Sequence, residues 1–342
     1  MAIKLSLAGN AGERGFAAQV DRAVETEALG YQGIFFSESL MSGLDPFQVL
    51  TAAALRTERI QLGTAIMTMT FREPVVLANQ AATLNEISQG RAILGLGTGD
   101  GTTYAMARTA VPLTTFAAGV RTIRELGNGR TIHVPKGAER AAGDVPLRAG
   151  RFPVPVWVAA AGPRALRAAG QVADGVILGA GFDLRVVEWA KEQVALGARE
   201  AGRDPAEIEL IGAGIACVDD DGDRARSIAR GRLANRAHQN FRFTLETVPP
   251  EDRPGVQRFM DGFDVTKKID ERADPSLITD YLQQRFAIAG TPDQCAKRIA
   301  ELAQRGITNF LLTLPPKVYR QTMRQWAAEV MPRLQTAEAA AA

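Results

Sequence analysis

Short runs of β-branched and apolar residues alternate with longer helical patterns along almost the whole of this sequence. The alternation favours parallel strands joined by crossover helices, and therefore an α/β fold. Eight strands separated by helical patterns predict a closed (β/α)8 barrel, also called a TIM barrel. The predicted strands are residues 3–7, 33–37, 60–67, 91–96, 156–160, 175–178, 208–217 and 309–314.

The predicted barrel occupies residues 1–335 as one domain. The chain has 342 residues, and α/β barrels often exceed ~250 residues as a single domain. Two stretches with little periodicity, near 127–153 and 240–276, are interpreted as insertions, and a hairpin is predicted within the first. In barrels such insertions commonly shape the mouth. The Ala-rich tail, residues 336–342, is expected to be flexible.

The composition argues against several classes of protein. The net charge is only +2, from 40 basic and 38 acidic residues, so the chain lacks the excess of positive charge that nucleic-acid binding needs. Two distant cysteines, Cys217 and Cys295, and only two histidines disfavour a disulfide framework and a structural zinc, and we expect no metal. No run of ~18 uncharged apolar residues suggests a membrane span, so a cytoplasmic protein is expected.

A glycine-rich turn follows the fourth predicted strand, where residues 95–101 read GLGTGDG. Its glycines permit positive φ angles and let backbone N–H groups approach an anion closely, as in a phosphate cradle. It is not a Rossmann fingerprint, because Asp100 stands where the third glycine would be needed. A tight turn with glycines for close packing is the alternative, and both interpretations stay open.

A second small-residue turn follows the fifth predicted strand, where Ala160, Ala161 and Gly162 precede Pro163. Proline is typical of the first position of a helix, so a helix N-terminus is expected here. Its free N–H groups and the helix dipole would suit a bound phosphate. The active site of a barrel lies at the carboxyl ends of the strands. Two such turns on neighbouring strands therefore predict one shared anion site.

Other candidates follow the second and third predicted strands. Glu38, between Ser37 and Ser39, is either a capping or solvent charge or a general acid/base or ring-binding group. Residues 64–70, rich in Thr and Met, offer hydroxyl donors and soft walls to a flat heterocycle, although the methionines also suit ordinary packing. Arg285 either meets an anionic substrate or forms a surface ion pair.

Several motifs in order and spacing resemble the luciferase-like monooxygenase superfamily, in particular its deazaflavin (F420) branch with methylenetetrahydromethanopterin reductase and a sugar-phosphate dehydrogenase. The resemblance runs over nearly the whole chain. The motifs are LGTAI at 62–66, TFREP at 70–74, QAATL at 80–84, GLGTGD at 95–100, AAGP at 160–163 and AGTPD at 289–293.

The resemblance implies an F420 cofactor whose phosphate lies between the two small-residue turns. It also implies a non-prolyl cis peptide between Ala65 and Ile66, in a bulge that backs the ring, and a homodimer. The cofactor-binding residues expected from these segments are Ser37, Ser39, Thr64, Ala65, Ile66, Gly97, Thr98, Gly99, Ala160, Ala161, Gly162 and Pro163.

Two carboxylates are the candidate catalytic residues. Asp100 occupies a place where the similar sugar-phosphate dehydrogenase carries a glutamate proposed as an acid/base, and Glu38 is the second candidate. Several deazaflavin relatives have Asp-His where this chain has Glu38 and Ser39. The missing histidine disfavours a histidine-based alcohol oxidation, whereas a reductase needs only one proton donor.

The predicted function is hydride transfer between F420 and a small organic substrate in the barrel mouth. The first alternative is an FMN-dependent monooxygenase of the same fold, which uses O2 and a partner flavin reductase. The second, from another class, is a non-catalytic flavin-binding barrel. A small molecule is the expected partner in the first two cases.

Overall fold

The computed structural model describes residues 2–10, 15–40, 43–99, 101–134, 143–146, 153–267 and 271–335. Asp100, the predicted tail 336–342 and part of the first predicted insertion lie outside these described residues. No helix within the described ranges is long and apolar enough to cross a membrane.

Eight parallel strands close into a barrel, which confirms the predicted fold. Each of the eight predicted strands is present, with ends that differ by a few residues. Around the barrel the strands are β1 (Lys4–Ala8), β2 (Gly33–Phe36), β3 (Gln61–Thr64), β5 (Ala92–Gly97), β8 (Val156–Ala160), β9 (Gly175–Leu178), β10 (Glu209–Val218) and β12 (Asn309–Thr313), which pairs with β1.

Four further strands accompany the barrel. The two-residue β4 (Met67–Thr68) pairs with the end of β5 after the chain has left β3. The predicted hairpin is present as the antiparallel β6 (Thr131–Val134) and β7 (Gly143–Pro146). A further strand that was not predicted, β11 (Ala287–Gly290), pairs with the second half of β10 beyond the end of β9.

The helices begin where the sequence provides caps and first-turn prolines. Asp45 accepts hydrogen bonds from the N–H groups of Phe47 and Gln48, and Thr291 forms a capping box with Gln294. The helices are α1 (Phe16–Ala28), α2 (Pro46–Ala54), α3 (Pro74–Ile87), α4 (Gly101–Ala105), α5 (Leu113–Gly127), α6 (Pro163–Val172), α7 (Leu184–Glu200), α8 (Gly222–Thr244), α9 (Arg253–Asp261), α10 (Asp280–Phe286), α11 (Pro292–Gln304) and α12 (Tyr319–Gln325).

Apolar side chains fill the structure in three clusters. The largest lies between the strands and the surrounding helices, and the smallest contains side chains of the strands themselves, with Phe35 stacked on Trp157 at 5.2 Å between ring centroids. The third joins α8, α9 and α10 to β10. The 240–276 segment, which was interpreted as an insertion with little periodicity, contains the end of α8 and all of α9.

Candidate active site

A cavity of about 960 Å³ opens at the carboxyl ends of β5, β8 and β9. This is the end of a barrel at which active sites lie, and the volume suits a cofactor together with a small substrate. Its lining includes both predicted small-residue turns and Ile66, and the far wall is the end of α8. A smaller, polar cavity of about 560 Å³ lies between α8, β11 and α11, away from the barrel mouth.

The turn after β5 is shaped by two glycines that line the cavity, Gly97 and Gly99. Gly99 has φ of +117°, and a Cβ there would lie 2.6 Å from Oγ1 of Thr103. A Cβ at Gly97 would collide with the side chain of Ile66. The buried Thr103 hydroxyl has no hydrogen-bond partner among the described residues. Small residues and an unpaired hydroxyl beside the turn fit a group that carries oxygen atoms.

The turn after β8 lies beside it because β5 and β8 are paired strands. Ala160, Ala161, Gly162 and Pro163 all line the cavity. Gly162 is the N-cap of α6 and Pro163 its first residue, and no side chain caps this end. The first-turn N–H groups are therefore available to an anion at the cavity wall. The structure thus brings together the two turns that were predicted to share a phosphate.

The chain between β3 and β4 contains a cis peptide bond between Ala65 and Ile66, as the resemblance implied. Ile66 lines the cavity. Hydrogen bonds hold this segment: the Ala65 N–H donates to the Phe36 carbonyl at 2.9 Å, and the Glu38 N–H donates to the Ile66 carbonyl at 3.1 Å. The Thr64 hydroxyl is bonded to the backbone of Gly95 and is fully buried.

Glu38 is buried behind this bulge, with 7% of its surface exposed, and forms an ion pair with Arg72. Its Oε2 also accepts a hydrogen bond from the Thr68 N–H at 3.3 Å. Arg72 reaches Asp45 as well, at 2.6 Å, and burial lowers the pKa of its guanidinium. Arg72 was not predicted to belong to the site, because it lies on a loop 34 residues after Glu38 in the sequence.

The serines on either side of Glu38 are not among the residues that line the cavity. The backbone N–H of Ser37 donates to Asn10 Oδ1 at 2.5 Å, which fixes the chain after β2. Asp100 follows Gly99 and lies outside the described residues. The roles predicted for Ser37, Glu38, Ser39 and Asp100 stay predictions.

The end of α8 supplies a wall that the sequence analysis did not assign to the site. Gln239, Asn240 and Phe243 lie on one stripe of α8 and line the cavity. The Arg242 guanidinium lies over the ring of Tyr104 from α4, 5.7 Å from its centroid. These residues were not assigned to the site because the stretch from residue 240 was interpreted as an insertion rather than as part of a helix.

Arg285 follows neither of its two predicted alternatives. It is fully buried and forms no ion pair within the described part of the chain. Its guanidinium donates to the Ala180 carbonyl and to the hydroxyls of Tyr281, Thr244 and Thr247, at 2.8 to 3.0 Å. Arg285 therefore links α10 by hydrogen bonds to the end of α8 and to the loop after β9.

Comparison with known proteins agrees with this geometry. The family model described as luciferase-like monooxygenase matches residues 2–309, which is most of the chain. The chain belongs to this family. A 5,10-methylenetetrahydromethanopterin reductase from Methanolobus tindarius is 31% identical over 294 residues, covering 84% of this chain and 87% of that protein.

Two further family members are similar over nearly their full length. An F420-dependent glucose-6-phosphate dehydrogenase from Beutenbergia cavernae is 29% identical over 332 residues, or 92% of each chain. The solved structure of the coenzyme F420 dependent tetrahydromethanopterin reductase from Methanopyrus kandleri superposes with a TM-score of 0.75 at 22% identity, over 98% of this chain and 100% of that one. This superposition supports the fold.

Proposed function

We propose that this family member is an F420-dependent oxidoreductase that transfers a hydride between the deazaflavin and a small organic substrate in the barrel mouth. The observation that carries the proposal is the convergence of both small-residue turns and Ile66 on one cavity. The sequence relatives described above, whose names are those of deazaflavin reductases and dehydrogenases, support the choice of cofactor.

The chain offers separate contacts to the parts of such a cofactor. Backbone N–H groups of the turn Gly97–Gly99 and of the first turn of α6 would hold the phosphate. Ile66, on the bulge after β3, would lie against the ring. When bound, the deazaflavin supplies the two-electron hydride chemistry that no side chain provides. The protein's own contribution is to orient ring and substrate and to exclude water between them.

The two carboxylates receive different roles in this proposal. Glu38 is occupied by Arg72 and by the Thr68 N–H, so its contacts support a role in positioning the bulge that carries Ile66. Asp100 is the proposed proton donor, because it directly follows the turn that would hold the phosphate. A reduction that needs one proton and one hydride requires no further acid or base.

A cytoplasmic homodimer is also proposed for this enzyme. Exposed apolar side chains support it: Val75 and Val76 are 43% and 46% exposed at the start of α3, and Leu55 is 74% exposed after α2. Light scattering on the purified protein measures the mass directly. A mass of two chains is expected, and a monomer at micromolar concentration would contradict this part of the proposal.

The test of the chemistry is the oxidation of reduced F420 by a panel of enones, aldehydes and imines, with and without oxygen. We expect at least one compound to accelerate the return of oxidised cofactor, at the same rate in both atmospheres. The FMN monooxygenase alternative predicts instead that the protein consumes oxygen only with reduced FMN. That second result would overturn the proposal.

A further inference from the structure

Two arginines near the barrel mouth, the fully buried Arg285 and the partly buried Arg236, lack a carboxylate partner among the described residues, but their surroundings differ. Arg285 donates four hydrogen bonds, to one carbonyl and three hydroxyls, and its guanidinium lies 4.9 Å from the centroid of the Phe241 ring. Arg236, in the middle of α8, has one hydrogen bond to the described residues, from Nη2 to the Ala213 carbonyl at 2.6 Å. Its Nε is buried with no partner in the described part of the chain.

The guanidinium of Arg236 is therefore a cation with spare donors. Burial lowers its pKa to about 10, which still leaves it protonated near neutral pH. A guanidinium has five N–H donors, and one bond to a carbonyl leaves most of them without an acceptor among the described residues. A desolvated charge without a counter-charge is unfavourable, so an anion that enters the site would be held strongly.

Arg236 lies one turn before the residues of α8 that line the cavity and is not itself one of the lining residues. Gln239, Asn240 and Phe243 follow it by three, four and seven residues, and all three line the cavity. Asn240 is 7% exposed, and its Oδ1 is buried without a partner among the described residues, while its Nδ2 donates to the Arg236 carbonyl at 3.0 Å. Two unsatisfied polar groups, a donor and an acceptor, thus lie one helical turn apart.

This pair is separate from the expected phosphate position. Phe243 lies against Gly162 of the phosphate turn, where an added Cβ would be 3.0 Å from the Phe243 Cβ. Arg236 is seven residues earlier, or ~10 Å along the helix. The carbonyl that Arg236 contacts belongs to Ala213 on β10. In the ring of eight strands β10 is four strands from β3, so these two strands face each other across the barrel. A substrate would lie between β10 and the bulge after β3.

We propose that Arg236 and Asn240 form a substrate subsite for a small organic anion that carries a neighbouring hydroxyl or N–H donor. Arg236 would bind the carboxylate or phosphate oxygens, and Asn240 Oδ1 would accept the hydrogen bond of the donor. The anionic end would be anchored near β10, which directs the other end of the molecule toward Ile66. This inference rests on the proposed function only for the position of the cofactor ring.

Three small probes test the subsite: glycolate, which has both groups, acetate, which lacks the hydroxyl, and glycolamide, which lacks the charge. Binding is followed on the F420-loaded protein by the fluorescence of the bound cofactor. We expect glycolate to bind at least tenfold more tightly than glycolamide, and R236Q to remove that preference. N240L should weaken glycolate binding and bring it to the level of acetate.

The controls separate the subsite from folding and from cofactor binding. Arg226 lies on the same helix and pairs with Asp223 at the surface, so R226Q makes the same charge change outside the site and should bind glycolate like the wild type. Thermal unfolding checks that R236Q is folded. We expect the affinity of R236Q for F420 to stay within threefold of the wild type.

Several results would overturn the subsite. They are equal binding of glycolate and glycolamide by the wild type, unchanged glycolate binding by R236Q, or a loss of F420 affinity by R236Q as large as its loss of glycolate affinity. If the wild type does not bind F420 at all, the proposed function fails separately. The same probes are then titrated by calorimetry into the unloaded protein, where the effect of R236Q still decides the matter.

Discussion

Gly99 is constrained in two ways at once, by a φ of +117° and by the Thr103 side chain, which a Cβ would approach to 2.6 Å. Gly99→Val should therefore displace the turn that is proposed to hold the cofactor phosphate. We expect the affinity for F420 to fall about tenfold or more, by ~1.4 kcal/mol. Fluorescence titration with the oxidised cofactor measures the change.

Gly202 provides the matched control for this substitution. It has φ of +68° and no atom within 4 Å of an added Cβ, and it lies in the turn after α7, away from the cavity. Gly202→Val also places a β-branched residue at a positive φ angle but does not fill the site, so cofactor affinity should not change. Equal losses in the two variants would show that strain alone, rather than the phosphate turn, explains the Gly99 result.

The ion pair between Glu38 and Arg72 leads to a prediction about stability. Glu38 is buried and Arg72 is partly buried, so removal of Arg72 leaves the Glu38 carboxylate without its cation and costs ~3 kcal/mol of the free energy of unfolding, whereas Arg72 keeps Asp45 when Glu38 is replaced. In a cycle of Glu38→Gln, Arg72→Met and the double variant, the double variant should lose less than the sum of the singles, by ~2 kcal/mol. Urea denaturation provides the values, and additive losses would contradict a direct pair.

Among the helices and loops, Arg285 joins α10, the end of α8 and the loop after β9 by side-chain hydrogen bonds. Arg285→Met keeps the volume but removes the donors that reach Thr244 and Thr247. We expect the stability to fall by ~3 kcal/mol and residues 240–247 to exchange their amide hydrogens faster than in the wild type.

The control for Arg285 is an arginine in a surface pair. Arg199 contacts Glu192 with more than half of its side chain exposed, so Arg199→Met should change stability by less than ~1 kcal/mol. Hydrogen exchange followed by mass spectrometry reports both variants. If Arg285→Met destabilises the protein without faster exchange at 240–247, then Arg285 does not hold the end of α8.

The elements that could be predicted are those whose pattern is local. The strands β8 and β9 are continuous apolar runs between turn residues, and α3, α6 and α11 begin at prolines, so their positions follow from the sequence.

The end of α8 could not be predicted because two of its three buried residues, Asn240 and Thr244, are polar, and its apolar partners in α9 and α10 belong to separate helices later in the chain. Ion pairs between loops, such as Glu38 with Arg72, were missed for the same reason.

In the molecule as a whole, closure of the barrel places the ends of β3, β5, β8 and β10 around one mouth. The two turns after β5 and β8 could be assigned to one site from the sequence, because a parallel barrel aligns its strand ends. The wall of the cavity that α8 forms could not be assigned in the same way, because no local sequence pattern specifies where a long helix packs. The convergence of the two turns on one cavity was therefore predictable, and the wall from α8 was not.

The whole barrel is proposed to bind a deazaflavin rather than FMN, and the proposed chemistry depends on this preference. Calorimetric titration of the purified protein with oxidised F420 and, separately, with FMN measures it. We predict a dissociation constant on the order of micromolar or tighter for F420, at least tenfold tighter than for FMN, or ~1.4 kcal/mol. Tighter binding of FMN would contradict the proposed function and make oxygen the expected co-substrate.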